Sequence, residues 1–150
     1  MLNLFFIFGA KYLYLVSVLV AMIFFYRAPA EARKEMLIRG AILFTLAFIL
    51  SLVARALYFN PRPFVTERFM PLVPHAPDNG FPSDHVLLVA AIAKLIAFFN
   101  KRIALWLWLI VGVVALSRIY VGVHHLLDVA ASIGIALLCA IITSKFYAKK

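Results

Sequence analysis

The sequence predicts an all-α integral membrane protein, a bundle of about five transmembrane helices. Three observations carry this expectation. Hydrophobic residues make up 66% of the 150 and charged residues 14%, whereas a soluble domain is nearer half apolar and a quarter charged. The mean hydropathy is +1.03. The apolar runs are continuous rather than alternating, which favours spanning helices over a barrel. The same composition excludes a disordered chain, a collagen-like repeat and a disulfide scaffold. The length suits one domain, residues 1–150. The one cysteine, Cys139, lies in an apolar run; it cannot close an internal disulfide and reads as a small buried packing residue.

Five segments approach the spanning length of about 20 residues: 2–26, 37–59, 86–99, 103–122 and 126–146. The first is not expected to be a cleaved leader, because its first ten residues carry no positive charge and Lys11 interrupts the apolar stretch. The charged turn 27–36 leads to the second segment. The third is short and becomes adequate if its helix starts at Ser83 or Asp84 and Lys94 snorkels to the near interface. The tight turn 100–102 joins it to the fourth. The connection 60–83 is of another kind: 24 residues holding six of the seven prolines. A long Pro-rich loop in a small protein is a place to look for function.

The formal net charge is +9. In a soluble chain that would suggest nucleic acid; here membrane topology explains it, and no nucleic-acid partner is expected. With five spans, Arg27, Arg33, Lys34, Arg39, Lys101, Arg102, Lys145, Lys149 and Lys150 fall on one face, which the positive-inside rule makes cytoplasmic. The N-terminus is then outside and the C-terminus inside. The outer face, periplasmic or extracellular, holds Arg55, Arg62, Arg68 and Arg118 and all four histidines. Four arginines and no lysine suit a bidentate oxyanion partner better than general surface charge.

Three motifs stand at the outer ends of different spans: Arg55-x6-Arg62-Pro63, Pro82-Ser83-Asp84-His85 and Ser117-Arg118-x5-His124-x3-Asp128. At helical spacing Asp128 faces His124, where its carboxylate can accept a hydrogen bond from Nδ1–H, fixing the tautomer and leaving Nε2 free as a nucleophile. Pro82-Ser83-Asp84-His85 reads as a helix start with Ser83 as N-cap, and the free N–H groups of a first turn form an anion site. His85 stands beside that anion, placed to protonate a leaving oxygen. Arg55, Arg62 and Arg118 can neutralise the oxygens of a phosphoryl group. Taken singly, an arginine near a span end is an interfacial anchor and a histidine is a hydrogen-bonded structural residue. Their joint occurrence on one face, assigned by an independent charge count, is what argues for chemistry. His125 points about 100° from His124 on a helix and reads as interfacial. Lys11 reads either as a lipid-phosphate partner or, with slightly more weight, as a snorkelling residue. His75, Glu67, Arg68 and Asp78 in the Pro-rich loop receive no task from their spacing.

These motifs resemble those of the type 2 phosphatidic acid phosphatase superfamily, which shares its site with vanadium haloperoxidases: Lys-x6-Arg-Pro, Pro-Ser-Gly-His and Ser-Arg-x5-His-x3-Asp. The resemblance spans residues 55–128. It implies that His124 forms a phosphohistidine, Asp128 supports it, and His85 protonates the leaving group. It also implies that Arg55, Arg62, Arg118 and Ser83, with the N–H of Asp84, hold the phosphate, without metal or other cofactor. Arg55 replaces the family lysine and Asp84 the family glycine. The Pro-Ser-Asp-His form and the surrounding Arg-Pro-Phe and Val-Pro-His-Ala resemble the bacitracin-resistance branch of undecaprenyl-diphosphatases. That points to a polyprenyl diphosphate substrate in the plasma membrane, hydrolysed to the monophosphate. Phosphatidic acid or phosphatidylglycerol phosphate is the rival substrate, and a non-catalytic lipid-phosphate binder or small transporter the rival class. Members usually have six spans against the five counted here, the difference lying before the motifs. The lipid-tail groove is then altered, or completed by a second copy of the chain in a homo-oligomer.

Overall fold

The computed structural model describes residues 1–148; Lys149 and Lys150, counted above with the basic face, lie outside the described residues. Seven helices follow in order: α1 (Leu2–Lys11), α2 (Leu13–Arg27), α3 (Ala30–Leu57), the single turn α4 (Pro63–Thr66), α5 (Asp84–Ala97), α6 (Lys101–Tyr120) and α7 (Leu126–Ala148). Among the described residues there is no strand, only an isolated bridge between Pro61 and Asn79.

Three of these helices are individually long and apolar enough to cross a bilayer: α3, α6 and α7. The expected first span is broken. α1 and α2 meet at Tyr12 with a 49° bend, and together they provide a fourth crossing if the pair is one bent span. The break has a local cause. Gly9 brings α1 against Ser117 of α6, while α2 packs chiefly on α5 and also reaches α6 and α3. Lys11 is exposed at this break, over the ring of Tyr12.

The expected third span is α5, and it begins at Asp84, where the motif placed it. Its 14 residues reach about 21 Å, short of a hydrocarbon core of about 30 Å. α5 is the central helix, packed on α2, α3, α6 and α7. Nine of its residues are buried, among them Val86, Val89, Ala90, Ala93 and Ile96. A helix that is apolar all round and covered all round is a core element. Small residues on α5 let its neighbours approach closely. The main core joins α5 to Leu43 and Ala47 of α3, Leu107, Val111 and Val114 of α6, and Ala136, Cys139 and Ala140 of α7.

The bundle separates its charges by end. Arg39, near the start of α3, lies over Phe98 after α5 and Tyr147 late in α7, and pairs with Glu35. Arg27, Lys101, Arg102 and Lys145 belong to helix ends at this same side. The end of α3, the start of α5, the end of α6 and the start of α7 form the other side, where the motifs meet.

A candidate active site at the arginine-rich end

Four helix ends and the two connections between them build this site. The 60–83 loop crosses it, and its backbone is tied to the end of α3 through Asn79. The Asn79 side chain accepts from the N–H groups of Asn60 and Phe81, both at 3.0 Å. It donates to the carbonyls of Arg55 (3.2 Å) and Tyr58 (3.0 Å). Four bonds from one amide tie the first motif to the residue before the second.

His124 does not lie within a helix. It occupies the short turn between α6 and α7, after Gly122, whose φ of +80° suits glycine. His125 immediately precedes α7. Asp128, in the first turn, reaches back to accept the His125 N–H at 2.8 Å, in the manner of a capping box. The same carboxylate oxygen stands 3.4 Å from His124 Nδ1, a contact short of an aligned hydrogen bond, since Nδ1 has no partner of good geometry. The expected pairing is therefore present, produced by a helix start rather than by one helical face. The expectation for His125 is corrected: its ring is not interfacial but bonded to the Pro61 carbonyl at 3.0 Å.

Two arginines converge on the outer nitrogen of His124. Arg118 Nη2 lies 3.2 Å and Arg62 Nη1 3.4 Å from Nε2. Both guanidinium groups are buried, and each is held from behind. Arg62 donates to the Val123 carbonyl at 2.9 Å and to Asp78 at 2.7 Å, and Arg118 donates to the Ala10 carbonyl at 3.3 Å. His124 is 3% and Asp128 0% exposed. Burial, assisted by Arg118 and Arg62 and opposed by Asp128, holds the His124 imidazole below the ordinary histidine range. It is neutral at pH 7, with a lone pair for attack.

Ser83 sits at the N-cap position of α5 as expected, but its hydroxyl makes no capping bond; it is buried without a partner. Arg118 Nε and Arg55 Nε are likewise buried and unpartnered. Buried polar atoms are nearly always satisfied, so the unpartnered Ser83 hydroxyl and the unpartnered Nε of Arg118, whose Nη2 meets His124, fit a place built for an anion. His85, on the first turn of α5, meets the edge of Tyr14 at 4.9 Å between ring centres. Arg55 is turned to Asp84 at 2.8 Å, on the exposed rim, and is not among the contacts of His124. The two replacements noted in the sequence thus neutralise each other.

A sequence profile of the PAP2 superfamily matches residues 36–150. The chain belongs to the PAP2 superfamily. It is 36% identical over 143 residues to the bacitracin transport permease protein BcrC of Bacillus licheniformis, covering 94% of this chain and 70% of that protein. It is 31% identical to the undecaprenyl-diphosphatase BcrC of Bacillus subtilis, covering 93% and 72%. The fold resembles the crystal structure of Aquifex aeolicus LpxE with a TM-score of 0.78 and 28% identity, over 96% of this chain and 86% of that one. The chain is thus a PAP2-type phosphatase, a hydrolase and a multi-pass membrane protein.

The geometry also brings in residues that the motifs did not name. Asn60 donates to the second oxygen of Asp128 at 2.7 Å. Ser132 donates to the carbonyls of Ser83 (2.9 Å) and Asp128 (2.8 Å), joining α7 to the start of α5. Gly80 passes so close to Asp128 and Asn60 that a side chain there would crowd both. Asn60 stands two residues before Arg62, the one sequence signal it carried; nothing local marked Ser132.

Proposed function

We propose that this PAP2 phosphatase removes the terminal phosphate of a polyprenyl diphosphate, undecaprenyl diphosphate above all, through a phosphohistidine on His124. The observation that carries the reading is the convergence of Arg62 and Arg118 on Nε2 of a buried, neutral histidine backed by Asp128. In the first displacement Nε2 attacks the terminal phosphorus and the bond to the bridging oxygen breaks. His85 gives that oxygen its proton, leaving the lipid monophosphate. In the second, water attacks phosphorus and gives a proton back to His85, the P–N bond breaks, and inorganic phosphate leaves. Arg62, Arg118, Ser83 and the N–H of Asp84 hold the equatorial oxygens, with Arg55 at the rim. Catalysis is positioning and electrostatic stabilisation, and these groups supply it without a metal ion.

A lipid substrate fits the surroundings. An apolar groove of about 630 Å³ between α2, α3 and α5, lined by Val18, Phe25, Met36, Gly40, Leu88 and Ile92 among others, begins one helical turn along α5 from His85. It offers a prenyl tail a course away from the arginines. The segregated charges support a site on the outer face of the plasma membrane, in a reading that takes α1 and α2 as one bent span and counts the short α5 as a fifth crossing. The two relatives carry different names, a transport permease and a diphosphatase. A nucleophile, its supporting carboxylate and a proton donor have no use in a transporter that only captures anions.

The test is phosphate release by the detergent-purified protein in EDTA, with undecaprenyl diphosphate and phosphatidic acid in parallel. Faster release from the diphosphate, abolished in His124→Ala, is expected. Faster release from phosphatidic acid would overturn the substrate; release that survives His124→Ala, or stops in EDTA, would overturn the chemistry.

A further inference from the structure

The Pro-rich loop brings a third histidine to the site. The His75 ring stands 6.4 Å from the His124 ring, centre to centre, and nearly perpendicular to it. Its Nδ1 faces the Ala76 carbonyl at 3.4 Å and Asp78 at 4.0 Å. Asp78 also accepts from Nε of Arg62 at 2.7 Å, while Nη1 of that arginine reaches His124. The four side chains His124, Arg62, Asp78 and His75 thus form a ring with one gap, between the two imidazoles. A tetrahedral phosphoryl group on Nε2 of His124 has the size to fill it. With Nδ1 directed at Asp78 and Ala76, Nε2 is the nitrogen of His75 left for a ligand.

We propose that His75 is a further phosphate-binding residue of this site, one that takes up a proton when the anion arrives and donates it from Nε2 to a phosphoryl oxygen. The proposal rests on the reading of the pocket as the phosphoryl site. It belongs to no part of the three motifs.

The groups facing His75 explain why its proton follows the ligand. Arg62 and Asp78 lie on its own loop, Arg118 comes from α6, His124 from the α6–α7 turn and His85 from α5. In the empty site burial lowers the His75 pKa, with Arg62 and Arg118 acting in the same direction and Asp78 too weak to reverse it. A phosphoryl dianion offsets the two arginines and turns the balance toward the imidazolium. The pKa of His75 is then higher in the complex than in the free protein, so anion affinity falls as pH rises between the two values. Loss of that proton from the cycle removes up to about a tenfold change in affinity per pH unit within the window.

Sulfate tests this without turnover, because it resembles phosphate in shape and its charge does not change over the working pH range. The readout is the sulfate-dependent rise in Tm of the detergent-purified full chain, converted to Kd at several pH values. The wild type is expected to weaken with rising pH more steeply than His75→Ala and His75→Gln, by about one proton per anion. Glutamine keeps a hydrogen-bond donor and does not titrate, so it is expected to recover part of the affinity at high pH without the slope. A slope unchanged in either variant that retains the wild-type fold, as read by its melting transition, would overturn the proposal. So would a glutamine variant that keeps both slope and affinity. Failure of the underlying reading shows separately, as wild-type protein that binds no sulfate or as phosphate release that survives His124→Ala.

Discussion

Asp128 shows how much a single side chain can be asked to hold. One of its oxygens accepts the His125 N–H and faces His124 Nδ1; the other accepts from Asn60. Removing the Asn60 amide leaves a buried carboxylate oxygen short of a partner, at a cost of about 1–3 kcal/mol. Asn60→Ala is therefore expected to lower kcat by about tenfold with KM nearly unchanged, in steady-state phosphate release. The pH dependence follows from His124. Nucleophilic attack needs the neutral ring, and burial with the two arginines keeps its pKa below 6.5. The acid limb of kcat/KM is expected below pH 6.5, and Arg62→Gln is expected to move it upward. The sign for stability is the same. A histidine whose folded pKa is lowered binds protons more readily when unfolded, so stability is lost as pH falls through and below the unfolded value. The residues proposed for the chemistry were legible because His124, Asp128, Arg62, Arg118, Ser83 and His85 sit in short motifs at fixed spacing. Asn60 and His75 were not, because each acts across a fold: Asn60 reaches a partner 68 residues away, and His75 gains its neighbours only when the loop closes.

At the scale of elements, the turn between α6 and α7 decides where the nucleophile points. It packs Gly122 against the ring of Phe69, and its backbone runs at a φ of +80°. Gly122→Ala meets both obstacles, an unfavourable backbone region and a clash with an aromatic ring. A destabilisation of about 1–3 kcal/mol is expected, visible as a lowered melting temperature in detergent, together with a fall in kcat as His124 shifts. The helices themselves were readable from their apolar runs, and α5 began where Pro82-Ser83-Asp84 said it would. The break at Tyr12 was not readable. Both halves are apolar, and nothing in a hydropathy pattern distinguishes one straight span from two segments that follow different partners. The same limit applies to α5: its continuous apolar run reflects packing on four neighbours as much as any lipid contact.

For the whole molecule, the separation of charge is the organising feature. One end gathers Arg27, Arg33, Lys34, Arg39, Lys101, Arg102 and Lys145, and the other gathers the buried arginines of the site. That asymmetry was visible in the sequence as a count; the structure adds that Arg39 is seated among aromatic rings while Arg62 and Arg118 are aimed at one nitrogen. If basic residues mark the cytoplasmic side, a cysteine at Glu67 is expected to react with an impermeant maleimide added to intact cells, and one at Glu31 only after lysis. Cys139 is buried and free, so the background stays silent. Labelling of position 31 from outside would invert the topology and move the active site to the cytoplasmic face.

The central claim is that His124 accepts the phosphoryl group. The most direct measurement is a rapid acid-free quench of enzyme turning over a prenyl diphosphate labelled in its terminal phosphate, followed by peptide mapping. The account predicts a base-stable, acid-labile phosphohistidine at His124, absent from His124→Ala and formed more slowly by His85→Ala. Turnover with no labelled protein at any time, or label carried by another residue, would contradict it.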